Sequence, residues 1–255
     1  MRTLFVFAHQ DDEYAIASII ARAARRGDEL FCAYLTNGRT GSVSADRRNA
    51  ESLAALADLG VPREHVAFIG TQLGIDDGSL PAHLEAALDG LASFVVRCGA
   101  QPERIYTLAW EGGHQDHDAA HLVVAAFATQ AGIAERVRQF PIYHGYRIPA
   151  PFFRTLAPLE RRPTLHGERL SLAEAWRNAH FCWHYPSQRR TWIGLFPQSL
   201  LHFLLRRALF HDAIDPAALE RRPHPGALLY ERMGRMEYAA FEAYAAPFRA
   251  KHLAR

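Results

Sequence analysis

Near its start the chain has a short apolar run that ends in metal-binding residue types: Leu4-Phe5-Val6-Phe7-Ala8-His9-Gln10-Asp11-Asp12-Glu13. The five apolar residues predict a buried β-strand, and one imidazole and three carboxylates follow within the next five positions. In open α/β sheets, ligands bind at the carboxyl ends of the strands. The run therefore predicts an α/β fold whose first strand carries a functional site at its C-terminal end.

A second cluster of the same residue types, His114-Gln115-Asp116-His117, follows another apolar stretch, Ile105–Trp110. A catalytic zinc ion usually takes three protein ligands from His, Asp and Glu and keeps a fourth position for water. Two His/Asp clusters at the ends of two strands can supply such a site, and they indicate a metal-dependent hydrolase. Each cluster alone has a second explanation, because carboxylates at the start of a helix also cap its free amide groups.

The spacing within the first cluster suggests separate roles for its members. His9 and Asp12 lie three residues apart, so a tight turn after the strand can direct both at one ion. Asp11 lies between them and would face the open coordination position, where a carboxylate can accept a proton from water. We therefore predict His9 and Asp12 as ligands and Asp11 as a general base.

The second cluster can supply the third ligand from either of its histidines. If His114 or His117 binds the ion, the other is free to donate a proton or a hydrogen bond to a developing oxyanion. Asp116 is suited to orient one of these imidazoles through its other ring nitrogen, as carboxylates behind metal ligands do. The residues alone leave open which histidine takes which role.

The order of apolar and helical patterns predicts the fold class. The first half of the chain is typical of βαβ units, which form a mainly parallel sheet flanked by helices. The predicted strands are Leu4–Ala8, Leu30–Thr36, Val66–Ile69, Arg104–Ala109 and Ile142–Ile148. Beyond Pro149 longer helical patterns alternate with proline-containing loops, and the candidate helices are Leu172–Ala179, Gln198–Phe210 and Met236–Phe248. We expect a catalytic core over residues 1–149 and a mostly helical portion over residues 150–255 packed on it, unless the two form one continuous domain.

The composition is that of an ordinary globular protein. The 255 residues are 49% hydrophobic and 22% charged, which argues against a disordered chain. No run of about 18 apolar residues predicts a transmembrane helix. The three cysteines, Cys32, Cys98 and Cys182, are odd in number and show no CxxC spacing. We expect buried free thiols in a reducing cytoplasm.

The charge is distributed unevenly along the chain. Residues 1–149 hold 13 arginines against 18 acidic residues, whereas residues 150–255 hold 16 basic residues against 9 acidic ones. The basic portion favours an anionic substrate such as a sugar nucleotide or a phospholipid head group, and a solvated Arg-rich surface is the alternative. No basic stripe interleaved with aromatic residues supports nucleic-acid binding.

One segment, Trp192–Phe210, combines a leucine-rich stretch with Arg206-Arg207. This pattern is typical of an interfacial helix that contacts lipid transiently. A core helix, or a helix at a subunit interface, has the same pattern, and the sequence does not decide the oligomeric state. Aromatic and basic residues nearby, such as Trp183 and Arg189, either line a substrate pocket or belong to the core and the surface.

Several motifs resemble those of one enzyme family. The run from His9 to Glu13 resembles the AHPDDE motif of the LmbE-like (PIG-L) de-N-acetylases, and Glu111–His117 resembles that family's second motif, HxDH. Between them, Thr36-Asn37-Gly38 and Arg47–Glu51 fall where the family has TxG and RxxE patterns. Ser187-Gln188 resembles a later SQ element. The resemblance covers the chain from about residue 3 to residue 125. Beyond that, few matching positions extend it to about residue 190.

The resemblance implies a Rossmann-like fold that holds one Zn²⁺, with other divalent cations as alternatives. It implies hydrolysis of an N-acetyl group on an amino-sugar substrate, giving acetate and a free amine. By motif position, the ligands would be His9, Asp12 and His117, and Asp11 would be the general base. His114 would stabilise the oxyanion or protonate the leaving amine.

The remaining motif positions carry supporting roles. Asp116 would support His114, and Arg47 would contact the substrate with Glu51 holding it. An exposed ion pair between residues four apart on a helix is the alternative for Arg47 and Glu51. Gln10 stands where the family usually has proline, so the turn loses the fixed φ of proline but keeps every ligand.

Three other functions are open to this chain. Asp11-Asp12 could hold Mg²⁺ or Mn²⁺ against phosphates in a glycosyltransferase or phosphoesterase, although those ions prefer all-oxygen ligands. A nucleotide-binding module is disfavoured, because the strand-to-helix turns contain neither GxGxxG nor GxxxxGK[ST]. A catalytically silent sugar-binding relative is the third, and the complete set of motif residues argues against it.

Overall fold

A sheet of seven strands, flanked by helices, forms the centre of the computed structural model, which describes residues 1–253. The strands are β1 (Arg2–Phe7), β2 (Glu29–Tyr34), β3 (Val66–Phe68), β4 (Arg104–Leu108), β5 (Val137–Phe140), β6 (Tyr143–His144), β7 (Arg154–Thr155), β8 (His166–Arg169) and β9 (Ala208–Ala213). The helices are α1 (Ala17–Arg25), α2 (Ala45–Asp58), α3 (Ile69–Leu73), α4 (Leu84–Arg97), α5 (Gln115–Gln130), α6 (Leu172–His180), α7 (Arg189–Leu201), α8 (Leu229–Arg232) and α9 (Tyr238–His252).

The sheet order is β3-β2-β1-β4-β5-β9-β8, and β1 to β5 pair in parallel. β1 lies between β2 and β4, with Phe5 opposite Cys32 on one side and Tyr106 on the other. Its residues Leu4–Phe7 are all apolar and buried, because the strand is covered on both faces, as strands of parallel sheets usually are. The expected α/β class with a mainly parallel sheet and flanking helices is therefore confirmed, and the first four predicted strands are present.

The fifth predicted strand was wrong. Ile142–Ile148 contributes only the two residues of β6, which pairs with β7 outside the main sheet. The fifth parallel strand is β5, whose central residues Arg138 and Gln139 interrupt the apolar pattern. Both polar groups of the Gln139 side chain nevertheless have hydrogen-bond partners. The side chain accepts a hydrogen bond from the amide of Trp110 (3.2 Å) and donates one to the backbone of β9.

The C-terminal portion contributes strands as well as helices. β9 pairs antiparallel with β5, and β8 pairs antiparallel with β9 at the edge of the sheet. The predicted helix Gln198–Phe210 was wrong at its end: α7 continues into a π-helical turn, His202–Arg206, and the chain then enters β9. Pairing with the sheet edge outweighs the local helical pattern there. The boundary after residue 149 stays a prediction, and strands from both sides of it share one sheet.

Helix α5 is the most deeply buried helix of the core. Fourteen of its sixteen residues are buried, and it packs against α4, α9 and β4. Its polar N-terminal turn is therefore held beneath the carboxyl ends of the strands. All three cysteines are free, and Cys32 and Cys182 are buried while Cys98 is half-buried.

Candidate metal centre

The two His/Asp clusters lie side by side at the carboxyl end of the sheet's centre. β1 and β4 are neighbours, and the strand order continues to β2 on one side and to β5 on the other. The loops that leave β1 and β4 therefore diverge, and such a switch point forms the crevice where ligands bind in open α/β sheets. Residues of both clusters line this crevice.

The turn after β1 is held by hydrogen bonds to its own backbone. Oδ2 of Asp12 accepts from the amides of Ala8 (3.0 Å) and His9 (2.8 Å). Asp11 adopts a φ of 136°, a left-handed conformation that costs a non-glycine residue on the order of 1–3 kcal/mol. Its amide donates to the buried carboxylate of Glu13 (3.0 Å). Glu13 therefore stabilises the turn, and the strain at Asp11 presents its side chain to the crevice.

The second cluster starts helix α5. His114 is the N-cap, and its Nδ1 accepts a hydrogen bond from the amide of Asp116 (3.1 Å). A neutral imidazole that accepts at Nδ1 carries its proton on Nε2. Nε2 of His114 is therefore a hydrogen-bond donor at the crevice, while Nδ1 of the same ring caps the helix.

Three side chains bring ligand atoms to one point. Nδ1 of His9 lies 3.2 Å from Nε2 of His117, which lies 3.2 Å from Oδ1 of Asp12. One ligand atom from each of these residues lies within 4.8 Å of the others. Four ligands around a tetrahedral zinc ion, at bond lengths of about 2.0–2.1 Å, are about 3.3 Å apart. Two of the three separations match this spacing, so His9, Asp12 and His117 can hold a metal ion after a small adjustment.

The charge of the crevice also suits a cation. The carboxylates that line it are Asp11, Asp12 and Asp77, and Asp116 lies behind His9. All four are buried or half-buried. Buried carboxylates are costly unless they are paired with positive charge or bind a metal. The arginines that line the same crevice are Arg48 and Arg235, so a divalent cation would offset the remaining negative charge.

Asp116 orients His9. Nε2 of His9 donates to Oδ2 of Asp116 (2.9 Å), whose other oxygen accepts from the amide of Leu80 (3.1 Å). In a His9 that has lost its Nδ1 proton, as metal binding would require, this bond fixes the tautomer and directs the Nδ1 lone pair at Asp12 and His117. The resemblance implied that Asp116 supports His114, but its carboxylate hydrogen-bonds to His9, and only its backbone amide bonds to His114.

Asp77 was not predicted from the sequence. Its Oδ1 lies 3.4 Å from Nε2 of His9 and 3.8 Å from Nε2 of His114. The signal that could have identified it is a second Asp-Asp pair, Asp76-Asp77, in a loop between Gly74 and Gly78. That pair does not follow a strand, and Asp76 instead pairs with surface groups.

The pKa values of the ionisable side chains in the crevice move in different directions. Burial and neighbouring charges both contribute to these shifts. Burial raises the pKa of Asp11 above its ordinary value, although the charge of Arg48 opposes this. Burial lowers the pKa of His114 well below its usual range, and the charge of His9 adds to the effect. Burial also favours the neutral form of Asp77, but attraction to His9 and His114 outweighs it and holds that pKa below its usual range. Asp11 is therefore a stronger base than an ordinary carboxylate, and His114 is a neutral donor.

The structure does not bring Arg47 to the crevice. Its guanidinium is exposed and pairs with Glu51 (3.3 Å), which corresponds to the helix ion pair named as the alternative. Arg48 lies in the crevice instead, where it is 2% exposed. It donates to the backbone oxygen of Gln10 and pairs with Asp11 (3.3 Å). Arg48 thus occupies the position in which a substrate contact was expected from its neighbour.

Gln10 ties the first turn to the rest of the site. It is fully buried, and its side-chain amide donates to Oδ1 of Asn49 (2.8 Å) and to the backbone oxygen of Thr36 (3.2 Å). Two side-chain hydrogen bonds therefore hold the turn where a proline ring would have stiffened it.

The C-terminal portion closes one side of the crevice. The amide of Ser187 donates to Glu51 on α2 (3.1 Å), which fixes the segment that precedes α7. The crevice residues from this segment are Gln188, Thr191, Trp192 and Leu195. The Ser187-Gln188 element noted in the sequence therefore reaches the site.

Residues 4–128 match the family model of GlcNAc-PI de-N-acetylase (PIG-L). Both His/Asp clusters lie inside this range. No curated protein sequence matches the chain. Among residues 1–253, we find no helix with the length and apolarity needed to span a membrane.

Solved structures share the fold. A deacetylase of the teicoplanin biosynthesis pathway, solved as a complex with bog, is 17% identical with a TM-score of 0.62, and the similarity covers 83% of this chain and 97% of that one. The A40926 pseudoaglycone deacetylase is 18% identical, with a TM-score of 0.59 and coverage of 83% and 94%. A conserved protein of Thermus thermophilus is 20% identical, with a TM-score of 0.60 and coverage of 84% and 94%.

Proposed function

Because residues 4–128 of this chain match the PIG-L family model, we propose that the protein is a metal-dependent de-N-acetylase. It hydrolyses the N-acetyl group of an amino-sugar-containing substrate to acetate and a free amine. The observation that carries this proposal is the convergence of His9, Asp12 and His117 on one point, with Asp11 and His114 beside it.

The three convergent residues are the metal ligands in this proposal. Nδ1 of His9, Oδ1 of Asp12 and Nε2 of His117 would hold the ion, and three protein ligands are the number that catalytic zinc sites usually have. Two nitrogen ligands favour Zn²⁺ over Mg²⁺, which prefers oxygen ligands. When bound, the ion supplies Lewis acidity that polarises an amide carbonyl and allows water to attack at neutral pH.

Proton transfer is carried by side chains of the crevice. Asp11 accepts a proton from the attacking water as the water oxygen bonds to the carbonyl carbon. The proton on Nε2 of His114 forms a hydrogen bond to the carbonyl oxygen as that oxygen gains negative charge. The C–N bond then breaks, and the proton held by Asp11 passes to the leaving nitrogen. The products are a free amine and acetic acid, which ionises to acetate.

Substrate contact is assigned to Arg48 rather than Arg47. Within residues 1–253, Nε and Nη1 of Arg48 are buried and have no hydrogen-bond partner. A buried charged donor without a partner is costly, and the hydroxyl or carbonyl oxygens of a bound sugar would satisfy it. Trp192 from α7 lines the same crevice, with its ring packed against Tyr14.

Acetate release from a panel of N-acetylated substrates tests the function. The panel contains free amino sugars, sugar nucleotides and glycolipids, because the crevice does not decide among them. We expect release that stops on chelation and returns with Zn²⁺ more strongly than with Mg²⁺. Release that survives complete chelation would contradict the metal-dependent mechanism. Phosphate release restored by Mg²⁺, without acetate, would favour the phosphoesterase alternative.

A further inference from the structure

Nearly half of the exposed large apolar side chains belong to one short segment of the chain. Of thirteen such side chains within residues 1–253, six lie between residues 176 and 205. These six, which we call the apolar face, are Trp176, Trp183, Ile193, Leu201, Leu204 and Leu205. Concentrated exposure of this kind marks an interaction site, whereas single exposed apolar residues are normal.

Helix α7 presents a continuous part of this face. Ile193, Leu201 and Leu205 recur at multiples of four residues along the helix and the π-helical turn after it, so they lie on one side. All three are more than half exposed, with Ile193 at 76% and Leu205 at 77%. The opposite side packs into the protein through Trp192 and Phe203, which are buried. The helix is therefore apolar on its outer side as well as on its packed side.

The two tryptophans extend the face beyond α7. Trp183 lines the same apolar groove as Ile193, and both Trp176 and Trp183 pack against the ring of His180. They are 60% and 71% exposed. Tryptophan is favoured at the boundary between water and lipid, because its ring is apolar and its indole N–H can remain in contact with water.

The charged side chains of the chain segment that carries the face have a single sign. Residues 175–211 contain five arginines and no aspartate or glutamate. Four of the five, Arg177, Arg189, Arg190 and Arg206, are exposed. Apolar side chains bordered by arginines are the features with which interfacial helices bind anionic lipid.

We propose that the apolar face docks the protein on the surface of an anionic lipid bilayer. A second copy of the chain is disfavoured as the partner, because a symmetric contact would bring the same arginines together with no acidic residue in this segment to pair with them. Residues of α7 also line the crevice, so docking would hold its mouth near the bilayer. Docking goes beyond the proposed function and does not depend on it.

Vesicle binding tests the docking. Co-sedimentation is measured with vesicles of equal parts phosphatidylglycerol and phosphatidylcholine, and with phosphatidylcholine alone. We expect strong binding to the anionic vesicles at about 0.1 M ionic strength, and weaker binding at 1 M, where screening shortens the Debye length to about 3 Å. Equal binding to both vesicle types, or none to the anionic ones, would overturn the proposal.

Two sets of substitutions separate the apolar and charged contributions. Ile193→Ser, Leu201→Ser and Leu205→Ser together should weaken vesicle partitioning at least about tenfold, since each buried methylene group contributes about 0.8 kcal/mol. Replacing Arg189, Arg190 and Arg206 by glutamine should reduce the preference for anionic vesicles by about fivefold per arginine.

The matched control is Val96→Ser on α4, because Val96 is 79% exposed and lies outside the face. It should bind vesicles as the unsubstituted protein does. Far-UV circular dichroism and zinc content of the triple serine variant should be unchanged, which shows that it folds. Unchanged vesicle binding in that variant would refute the proposal. So would a dimer, detected by light scattering, that becomes monomeric in it, because the face would then be a subunit interface.

Discussion

At the scale of single residues, Asp11 is the most informative side chain of the site. It is held in a left-handed backbone conformation, and its carboxylate is paired with Arg48 rather than with the ligand cluster. Strained backbone of this kind is found at functional sites, where surrounding interactions compensate for its cost. The geometry therefore separates the proposed base from the proposed ligands, although two of these ligands, His9 and Asp12, are its neighbours in sequence.

Replacing Asp11 with asparagine should leave metal binding intact and lower kcat. A general base contributes roughly 10²- to 10⁴-fold to the rate, so we expect a loss in that range. The checks are steady-state acetate release and metal content on the same preparation. Turnover close to that of the unsubstituted protein would rule out Asp11 as the base.

Asp116 should act on the metal through His9. Asp116→Asn removes the carboxylate that fixes the tautomer of His9, and such changes weaken metal binding about 10- to 100-fold. Competition with a chelator measures the affinity. Asp76→Asn is the matched control, because Asp76 is a nearby but exposed aspartate and its substitution should leave the affinity unchanged. Equal effects from both substitutions would contradict the role of Asp116.

Arg48 and Arg47 provide a second matched pair. Arg48→Gln removes a buried charged donor, which we expect to cost about 10- to 100-fold in kcat/KM, corresponding to about 1.5–3 kcal/mol. Arg47→Gln should stay within about twofold, since exposed ion pairs contribute little. Acetate release at limiting substrate measures both. A larger loss of kcat/KM in Arg47→Gln than in Arg48→Gln would instead support Arg47 as the substrate contact, as the family resemblance implies.

The sequence predicted the residues of both clusters but not all of their partners. Arg48, Ser52 and Ala55 are buried on one side of α2, whereas Arg47 and Glu51 lie along another. The helical repeat places Arg48 on the same side of α2 as Ser52 and Ala55. This periodicity could therefore have identified Arg48 as a buried residue. Asp77 could not be found in that way, because a loop has no periodicity that directs its side chains.

At the scale of elements, α1 and α6 are joined by an ion pair. Arg22 donates from Nε and Nη2 to the two oxygens of Glu174 at 2.8 Å each. This two-point pair lowers the pKa of Glu174 from 4.5 to about 2. Its contribution to stability is therefore complete above pH 4.5 and is lost as the pH falls from 4.5 to about 2.

Glu174→Gln should destabilise the protein by about 1 kcal/mol at neutral pH, after allowance for solvent screening. That corresponds to a decrease in Tm of about 2–4 °C for a chain of this size. The difference from the unsubstituted protein should disappear toward pH 2. Glu64→Gln is the control, because Glu64 is an exposed glutamate. Calorimetry over this pH range that shows a constant difference would contradict the linkage.

The elements that the sequence failed to predict are those defined by tertiary pairing. β5 carries Arg138 and Gln139 at its centre, so it lacks the apolar pattern of a buried strand. It forms because β4 pairs with it on one side and β9 on the other. The predicted helix Gln198–Phe210 includes the first half of β9, because Ala208-Leu209-Phe210 continue the apolar pattern of α7. These residues pair with the edge of the sheet instead.

At the scale of the whole molecule, the order of the strands in the sheet determines where the two His/Asp clusters meet. The two clusters are about a hundred residues apart in sequence, yet β1 and β4 are adjacent. Apolar runs that predict strands, and polar clusters that follow them, were sufficient to place both clusters at one edge. The side of the crevice formed by α7 could not be predicted, since it depends on how residues beyond 150 fold back on the core.

Metal content of the purified protein tests the central claim most directly. We predict about one zinc ion per chain, the stoichiometry of a single catalytic site with three protein ligands. His117→Ala should lose the ion while remaining folded by circular dichroism, and Asp11→Asn should keep it. A protein that binds no metal after reconstitution with zinc, or a His117→Ala variant that retains a full equivalent, would show that the two clusters do not form one metal site.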